Sequence, residues 1–344
     1  MIGITDSGGR GDYIAPAACL IRDGELSGLT ATNKPSAIGV ATAATGQSQC
    51  VRVSRNGRHW YSGVMTPAPS HSAPELAISV VLFHSNLDQF DNLLRSLTEA
   101  LSNTELSAVP MICVDNSRDP AYALRGRAIC ARWRDEAGLS IEWVSASVNG
   151  GYGAGHNVAL SKVNSRYHLL LNPDVVLDER AMMEALRLLS SDPQIALLAP
   201  IGVGSLGEPE YLAKAYPSVW VLALRAFAPR WLHRLNVKSL ARYEMRHHSE
   251  SRRTRAIPLA SGCCMWIRRN ALDQVGGFDE SYFLYFEDYD LSMKLAQLGD
   301  IIESQDVTIV HHGGDAARKG LRHIGWFIAG AIRFFRRWGW RWFG

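Results

Sequence analysis

The sequence lacks the cysteine spacing of a zinc site or a disulfide framework. Its six cysteines contain no C-x-x-C pair and follow no regular spacing. Cys113, Cys263 and Cys264 lie inside apolar runs, where a free thiol behaves as a small hydrophobic side chain. We therefore expect reduced, buried thiols in a cytosolic protein.

A membrane-spanning segment is also lacking. No run of 18 or more apolar residues is present to cross a bilayer. The first residues do not show the basic-then-apolar pattern of a signal peptide. We expect the functional part of the chain to face the cytoplasm.

Acidic residues are absent after Asp315, although the formal net charge of the whole chain is only +3. A charge this small does not by itself indicate a nucleic-acid binder. The distribution is more informative, because one end of the chain is strongly basic. The basic residues there are Arg318, Lys319, Arg322, Arg333, Arg336, Arg337 and Arg341.

Residues 1–76 are rich in Gly, Ala, Ser and Thr and show no sustained hydrophobic period. The Pro-rich segment 65–75 at their end is typical of an extended linker. We assign this N-terminal extension no function; disorder, a small appended module and an overlong start all remain open.

From residue 76 onward, apolar runs alternate with amphipathic segments. Continuous runs such as LAISVVLF (76–83) and YHLLLN (167–172) predict strands that are buried on both faces. Between such runs, 87–101 places Phe90 and four leucines on one helical face. This alternation predicts an α/β sandwich with a mostly parallel sheet, whose ligands bind beyond the carboxyl ends of the strands.

Polar or glycine-rich clusters follow four of these predicted strands, at 84–86, 115–119, 149–157 and 172–174. Asp115, in the second cluster, can accept a hydrogen bond from a nucleobase or a ribose, or can simply form an Asx-turn.

The third cluster, NGGYGAGHN, offers unobstructed backbone N–H groups at the start of a helix, which suits an anion. Its spacing also imitates a dinucleotide-binding fingerprint, but the characteristic end of that motif is replaced. A nucleotide-cofactor (NAD-type) oxidoreductase is therefore an alternative function.

Asn172-x-Asp174 has the form of a short acidic motif that could hold a divalent cation on a diphosphate. Mg²⁺ and Mn²⁺ commonly take one or two protein oxygens together with substrate phosphates and water. His311 or His312, at the end of a further predicted strand, could complete the site. A Pro-Asp turn is the structural alternative for Asp174.

Five carboxylates lie among six aromatic residues in FDESYFLYFEDYDLSMKLAQLG (278–299). The leucine spacing predicts a helix that begins at Glu287, so Glu287 and Asp288 belong to its first turn. The helix dipole favours an ionised carboxylate there, which is the property of a general base. Capping of the helix N-terminus alone would explain one or two of these five acids, but not all of them.

Taken in order, ISVVLFHS, VDNSRD, NGGYGAGHN, LLLNPDVVL, GGFDESYFLYFEDYDL and VHHGG resemble the motifs of family 2 glycosyltransferases of the GT-A fold. The resemblance extends over about residues 77–340 and is greatest to the bacterial rhamnosyltransferase-like branch. It implies a GT-A domain over 77–317, with a basic aromatic C-terminal helix over 318–344.

The resemblance also implies roles for individual residues. Asp288 would be the catalytic base, with Gly262 and Glu287 bordering the acceptor. Asp174 and His311 would hold Mg²⁺ or Mn²⁺. The donor-binding residues would be Phe83, Asp115, Asn149, Gly150, Asn157 and Asn172.

Two departures from the family pattern are His84 in place of the usual Asn, and Asn172 in place of the first Asp of D-x-D. Asn172 is frequent in the rhamnosyltransferase-like branch, and it argues against a tightly and permanently bound metal.

The function implied is inverting transfer of a sugar, L-rhamnose from dTDP-rhamnose, to a saccharide or lipid-linked acceptor in the synthesis of a cell-surface polysaccharide such as O-antigen. Another donor sugar and a non-catalytic sugar-binding relative are further alternatives.

Two basic regions suggest contact with a membrane. Nine Arg or Lys residues between Arg225 and Arg255 face two acids, which is typical either of an acceptor-side insertion that meets a lipid-linked pyrophosphate or of a solvated helical face. The tail at 324–344 combines Trp, Phe and Ile with arginines, as in helices that lie on an anionic membrane surface. Packing of those aromatics on the folded domain is the alternative. We expect a peripheral protein on the inner face of the cell membrane that does not bind nucleic acid.

Overall fold

The computed structural model describes residues 73–137, 139–246, 253–313 and 320–343, together with four short N-terminal strands. The chain divides into two compact units, Met1–Ser72 and Ala73–Gly344. The first unit contains an antiparallel sheet of β1 (Gly3–Asp6), β2 (Ala37–Thr42), β3 (Ser48–Val53) and β4 (Trp60–Val64) in that order. The predicted boundary at residue 76 falls inside the first strand of the second unit.

The second unit alternates strands and helices, as predicted. Its strands are β5 (Leu76–Leu82), β6 (Pro110–Asp115), β7 (Ser140–Ser145), β8 (Tyr167–Leu171), β9 (Val175–Leu177), β10 (Ile195–Val203), β11 (Pro209–Glu210), β12 (Ala213–Lys214), β13 (Thr254–Ala256), β14 (Leu259–Ala260), β15 (Cys264–Arg268) and β16 (Asp300–His311). Its helices are α1 (Leu87–Ser102), α2 (Pro120–Ala137), α3 (Tyr152–Lys162), α4 (Ala181–Ser191), α5 (Val219–Phe227), α6 (Arg230–Leu235), α7 (Val237–Tyr243), α8 (Arg269–Gln274), α9 (Glu287–Leu295) and α10 (Leu321–Trp338).

The central sheet follows the order β13-β16-β10-β15-β8-β5-β6-β7, with β11 paired to β10 and β9 paired to β16. Strands β8, β5, β6 and β7 are parallel neighbours. Strand β15 runs antiparallel between β8 and β10, and β10 pairs in parallel with β16. The carboxyl ends of β5, β6 and β8 therefore meet at one edge of the sheet, where the predicted clusters lie.

Burial explains why the strands were recognisable in the sequence. All seven residues of β5 are buried, because helices cover both faces of the sheet. Helices α1, α2 and α4 pack on one face and α3, α8 and α9 on the other. In α1 the predicted apolar face is buried, and Asn86 caps the helix by accepting from the N–H groups of Asp88 and Gln89. Such a cap contributes about 1 kcal/mol.

The four cysteines at 113, 130, 263 and 264 are free and buried, as expected; Cys19 lies outside the described residues. No helix of the described chain is both long enough and apolar enough to cross a bilayer.

Helix α10 packs on the second unit. Phe334 and Phe335 are buried in a cluster with Phe286 and with side chains of α5 and α7. These two aromatic side chains therefore pack on the folded domain, which was the alternative to contact with a membrane. Ile324, Ile328 and Ile332 of α10 are exposed.

Candidate active site

A cleft of about 620 Å³ lies at the carboxyl ends of the parallel strands. It brings together four residues predicted to bind the donor or a metal, Phe83, Asn149, Asn172 and Asp174. Phe83 is 57% exposed, so its ring is available to stack on a ligand. The volume is in the range of pockets that enclose small ligands.

The glycine loop forms one wall of the cleft and contacts the segment before α9. The N–H of Gly151 donates to Oδ1 of Asn149 at 3.0 Å, and the N–H of Tyr152 donates to the carbonyl of Phe283 at 3.2 Å. Gly151 has φ +95°, and a Cβ there would lie 1.9 Å from the Phe283 oxygen. Only glycine fits this position.

Asp174 and His311 meet at one end of the cleft. Nε2 of His311 lies 3.6 Å from Oδ1 of Asp174, and Nδ1 lies 2.8 Å from Oε1 of Glu210. Burial lowers the pKa of His311, but the carboxylates of Asp174 and Glu210 outweigh it and raise the pKa to about 9. Burial raises the pKa of Asp174, yet His311 holds it below its ordinary value.

The Asp174 corner fits a divalent cation. Oδ1 of Asp174 is buried and has no hydrogen-bond partner among the described residues. Glu210 holds Nδ1 of His311 and leaves Nε2 directed at Asp174, which is the arrangement of a metal-binding histidine with its supporting carboxylate. No cluster of three or more His, Cys, Asp or Glu ligands is found in the described part of the chain. A cation here would take its other ligands from substrate phosphates and water, as Mg²⁺ and Mn²⁺ commonly do.

Asp288 lies at the start of α9, as predicted, and backbone amides hold its carboxylate. Oδ2 accepts from the N–H of Gly262 and Oδ1 from the N–H of Tyr289, both at 2.9 Å. Burial raises the pKa of Asp288, and these hydrogen bonds offset only part of the increase. A carboxylate that is oriented in this way, with its pKa moved toward neutral pH, suits a general base.

Hydrogen bonds connect Asp288 to the cleft. The hydroxyl of Tyr152, which lines the cleft, donates to the carbonyl of Gly262. The N–H of Asn172 donates to the carbonyl of Cys263 at 2.8 Å. The 262–263 loop therefore contacts both the Asn172–Asp174 turn and the carboxylate of Asp288. A Cβ on Gly262 would lie 3.2 Å from Cβ of Asp288 and from Cε1 of Tyr152.

Glu287 is buried beside Asp288, with an exposed fraction of 4%. Its Oε2 atom has no hydrogen-bond partner among the described residues. Burial and the charge of Asp288 raise its pKa well above the ordinary value. The preceding residues Tyr285 and Phe286 both have left-handed backbone (φ +72° and +70°). Two consecutive non-glycine residues in this conformation store strain, which concentrates at functional sites.

The other acids of the 278–299 segment have structural partners. Asp290 is buried and accepts from Nε1 of Trp338 at 2.8 Å. Asp279 accepts from Arg337 at 3.2 Å, and Glu280 accepts from Nδ2 of Asn157 at 2.9 Å. These contacts give Asp279, Glu280 and Asp290 structural roles.

Three predicted donor residues do not line the cleft. Asp115 is buried at the end of β6 and accepts from the N–H of Ser117 at 2.8 Å, which is the Asx-turn alternative. Asn157 holds the backbone of Phe278 through two hydrogen bonds of 3.0 Å. Gly150 lies between Asn149 and Gly151, which line the cleft, and a Cβ on Gly150 would meet the side chain of Ala154. Their roles in donor binding stay predictions.

Sequence analysis missed the contribution of α10 to the cleft. Arg322, His323 and Trp326 line it, and Trp326 packs on Phe283 with ring centroids 4.5 Å apart. It also missed Glu210, which belongs to a strand of two residues. The only available signal was the basic, aromatic composition of the tail, which does not specify what the tail contacts.

Curated relatives of the chain are rhamnosyltransferases. The N-acetylglucosaminyl-diphospho-decaprenol L-rhamnosyltransferase of Mycobacterium tuberculosis (strain H37Rv) is 30% identical over 145 residues, which are 42% of this chain and 46% of the relative. The match thus spans about half the length of that relative. Rhamnosyltransferase WbbL of Escherichia coli (strain K12) is 23% identical over 228 residues, 64% of this chain and 76% of the relative.

Solved structures with the same fold include GalNAc-T7 with UDP, GalNAc and Mn²⁺, at a TM-score of 0.55 and 11% identity, covering 81% of this chain and 49% of that one. The mannosyltransferase PcManGT from Pyrobaculum calidifontis, in complex with GDP-Man and Mn²⁺, has a TM-score of 0.50 and 17% identity, covering 76% and 65%. The profile "Glycosyltransferase like family 2" matches residues 74–318. The second unit thus has the GT-A fold, and the chain belongs to glycosyltransferase family 2.

Proposed function

We propose that the chain is an inverting glycosyltransferase that transfers L-rhamnose from dTDP-rhamnose to a saccharide or lipid-linked acceptor in cell-surface polysaccharide synthesis. The observation that carries this proposal is the Asp288 carboxylate, held by two backbone amides and connected through Gly262 and Tyr152 to the cleft. A nucleotide-cofactor oxidoreductase would not need this carboxylate, and family membership argues against that alternative.

The chemistry follows from the position of Asp288. The acceptor hydroxyl gives its proton to the carboxylate as its oxygen attacks the anomeric carbon of the donor sugar. A new glycosidic C–O bond forms while the bond to the diphosphate breaks, and the nucleoside diphosphate leaves with the electron pair. Attack from the face opposite the leaving group inverts the anomeric configuration.

The other cleft residues would hold the donor. Phe83 offers an exposed ring for a nucleobase, and Asn149 and Asn172 offer amides for the sugar or phosphates. Asp174 and His311 would bind a divalent cation, with Glu210 orienting the imidazole. A bound Mg²⁺ or Mn²⁺ would neutralise charge on the departing diphosphate. The donor sugar is taken from the names of the relatives.

The same proposal includes a location on the inner face of the cell membrane. The stripe formed by Ile324, Ile328 and Ile332 is 37–44% exposed and belongs to a helix without acids. Apolar side chains bordered by arginines suit an anionic lipid surface.

A donor panel tests the function. Purified chain is titrated with dTDP-, UDP- and GDP-sugars in the presence of Mn²⁺, and both binding and slow hydrolysis are measured. We expect dTDP-rhamnose to be bound most tightly and hydrolysed. Tighter binding and faster hydrolysis of another nucleotide sugar would replace the proposed donor. An absence of binding and hydrolysis for every donor would contradict the proposed function.

A further inference from the structure

A second groove lies along α10, next to the cleft. We call it the arginine groove and define it by Arg333, Arg336, Arg337, Tyr282, Leu284 and Ile332. Its volume is about 870 Å³, larger than that of the cleft. No step of the mechanism described above involves these residues, although Ile332 also belongs to the proposed membrane stripe and Leu284 also lines the cleft.

The arginine groove is positively charged. Arg333 and Arg336 are exposed and three residues apart on α10, so their guanidinium groups lie on the same side of the helix. In the described part of the chain, only Arg337 of the three forms an ion pair, with Asp279 at 3.2 Å and with Asp290 at 3.3 Å. Among the described residues that line the groove, Asp279 is the only carboxylate, and it is already paired with Arg337. The groove therefore keeps an excess of positive charge.

The same groove is also apolar. Arg333 lies 5.6 Å above the ring of Tyr282, and Leu284 and Ile332 complete the wall. Arginine forks match phosphate oxygens in geometry and charge, whereas the aliphatic wall suits a hydrocarbon chain. The combination fits an amphiphile with a phosphate-bearing head.

The groove and the cleft share a wall. Phe283, Leu284 and Trp326 line both. A ligand whose phosphates lie on Arg333 and Arg336 would therefore occupy a groove that adjoins the proposed donor cleft. By contrast, in the basic 225–255 segment Arg225 and Arg246 both pair with Glu244, which leaves those two arginines less suited to an anion.

We propose that the arginine groove binds the diphosphate of a lipid-linked acceptor, with the lipid chain along Leu284 and Ile332. The proposal rests on the proposed function and adds the place where the acceptor is held. It assigns Arg333 and Arg336 as substrate-binding residues.

The test measures equilibrium binding of farnesyl diphosphate to the full chain in the presence of saturating dTDP, which keeps the probe out of the donor site. We expect Arg333→Gln/Arg336→Gln to weaken the affinity at least tenfold. The matched control Arg95→Gln/Arg125→Gln, which removes two exposed arginines of α1 and α2, should stay within twofold of the wild type. Equal affinity in the groove variant would overturn the proposal. Unchanged dTDP binding and thermal stability show that the variant is folded.

Two further probes separate the contributions of the arginines and of the apolar wall to the affinity. Inorganic pyrophosphate and farnesol should each bind more weakly than farnesyl diphosphate, because each lacks one half of the amphiphile. Equal binding of pyrophosphate would overturn the role of the apolar wall. If the variant loses binding to phosphatidylglycerol vesicles but keeps its affinity for farnesyl diphosphate, the groove is a phospholipid site and the proposal is wrong.

Failure of the two proposals is distinguishable. Hydrolysis of the nucleotide sugar needs no lipid. A wild-type chain that hydrolyses no donor, yet binds farnesyl diphosphate through Arg333 and Arg336, would refute the proposed function and support the lipid site. If the chain hydrolyses a donor but binds farnesyl diphosphate equally well without Arg333 and Arg336, the proposed function is supported and the lipid site is refuted.

Discussion

Oδ2 of Asp288 accepts a hydrogen bond of 2.9 Å from the backbone N–H of Gly262, a residue 26 positions earlier in the chain. The contact joins the first turn of α9 to the loop between β14 and β15. It fixes the direction of the carboxylate through a backbone amide.

Asp288→Asn should abolish transfer and leave donor affinity unchanged. The amide keeps the shape of the carboxylate and can accept from Gly262, but it cannot take up the acceptor proton. We expect a loss of kcat of about 10²–10⁴-fold, measured alongside the dissociation constant of the donor. Asp300→Asn, an exposed position on β16, is the control. Near-normal turnover of Asp288→Asn would refute the base assignment.

Asp174→Ala should weaken Mn²⁺-dependent donor binding, because it removes the charged ligand of the proposed cation. Glu210→Gln should have a smaller effect in the same direction, since Glu210 acts through the orientation of His311. Loss of such a supporting carboxylate typically costs 10–100-fold in metal affinity. Titration of donor binding with Mn²⁺ measures both, with Asp192→Ala at the exposed end of α4 as the control. Unchanged Mn²⁺ dependence in Asp174→Ala would argue against this site.

Glu287→Gln should stabilise the fold at alkaline pH. Burial and Asp288 raise the pKa of Glu287 above its ordinary value of 4.5, so between these two values the folded state binds more protons than the unfolded state. The free energy of unfolding of the wild type therefore falls as pH rises through that window, and the neutral amide removes this fall. The gain from Glu287→Gln therefore grows as the pH rises through this window.

Urea unfolding at pH 5 and pH 8 measures the effect of Glu287→Gln. The control Glu99→Gln, at an exposed position on α1, should keep the pH dependence of the wild type, because it retains Glu287. An equal pH dependence in wild type and Glu287→Gln would contradict the raised pKa of Glu287.

Gly151→Ala should destabilise the cleft. The new Cβ would meet the Phe283 carbonyl and would force an unfavourable positive φ on alanine. The backbone term alone costs about 1–3 kcal/mol, and relief of the clash would move the glycine loop away from Phe283. Gly207→Ala is the matched control, because Gly207 has φ +82° with nothing within 4 Å of its Cβ. Both variants are compared by thermal unfolding and by donor binding. Equal stability and equal donor affinity of the two variants would show that the contact between Gly151 and Phe283 is unimportant.

Ile324→Ser/Ile328→Ser should reduce partitioning onto vesicles that contain an anionic lipid. Both side chains are exposed on α10 and do not belong to the buried Phe334–Phe335 cluster, so stability should change little. Flotation with phosphatidylglycerol vesicles measures the loss, and Leu206→Ser, at a position 94% exposed on a distant turn, is the control. Unaltered partitioning would dispose of this membrane contact.

The strands and the first turn of α9 were predictable from sequence because their signals are local. Strand β5 is a continuous apolar run since both of its faces are covered, and α9 begins at Glu287 as the leucine spacing indicates. The helix ends at Leu295.

The features that could not be predicted from the sequence depend on contacts between segments that are far apart in the chain. Nothing in CMWIR (264–268) indicates that β15 inserts antiparallel between β8 and β10. Glu210 and Trp326 acquire their positions only through the fold. The pattern of Phe, Trp and Arg in α10 is equally suited to lipid and to a protein surface, so the buried state of Phe334 could not be read from it.

The approach of α10 to the strained turn before α9 has a practical consequence. A Cβ on Gly330 would lie 2.7 Å from the carbonyl oxygen of Tyr285, so this helix is seated directly on the Tyr285–Phe286 backbone. The family match ends at residue 318, before α10 begins. An expression boundary chosen from that match would delete the helix that contacts this backbone and lines one side of the cleft. We therefore expect a stable fragment to extend through Trp338, which donates to Asp290.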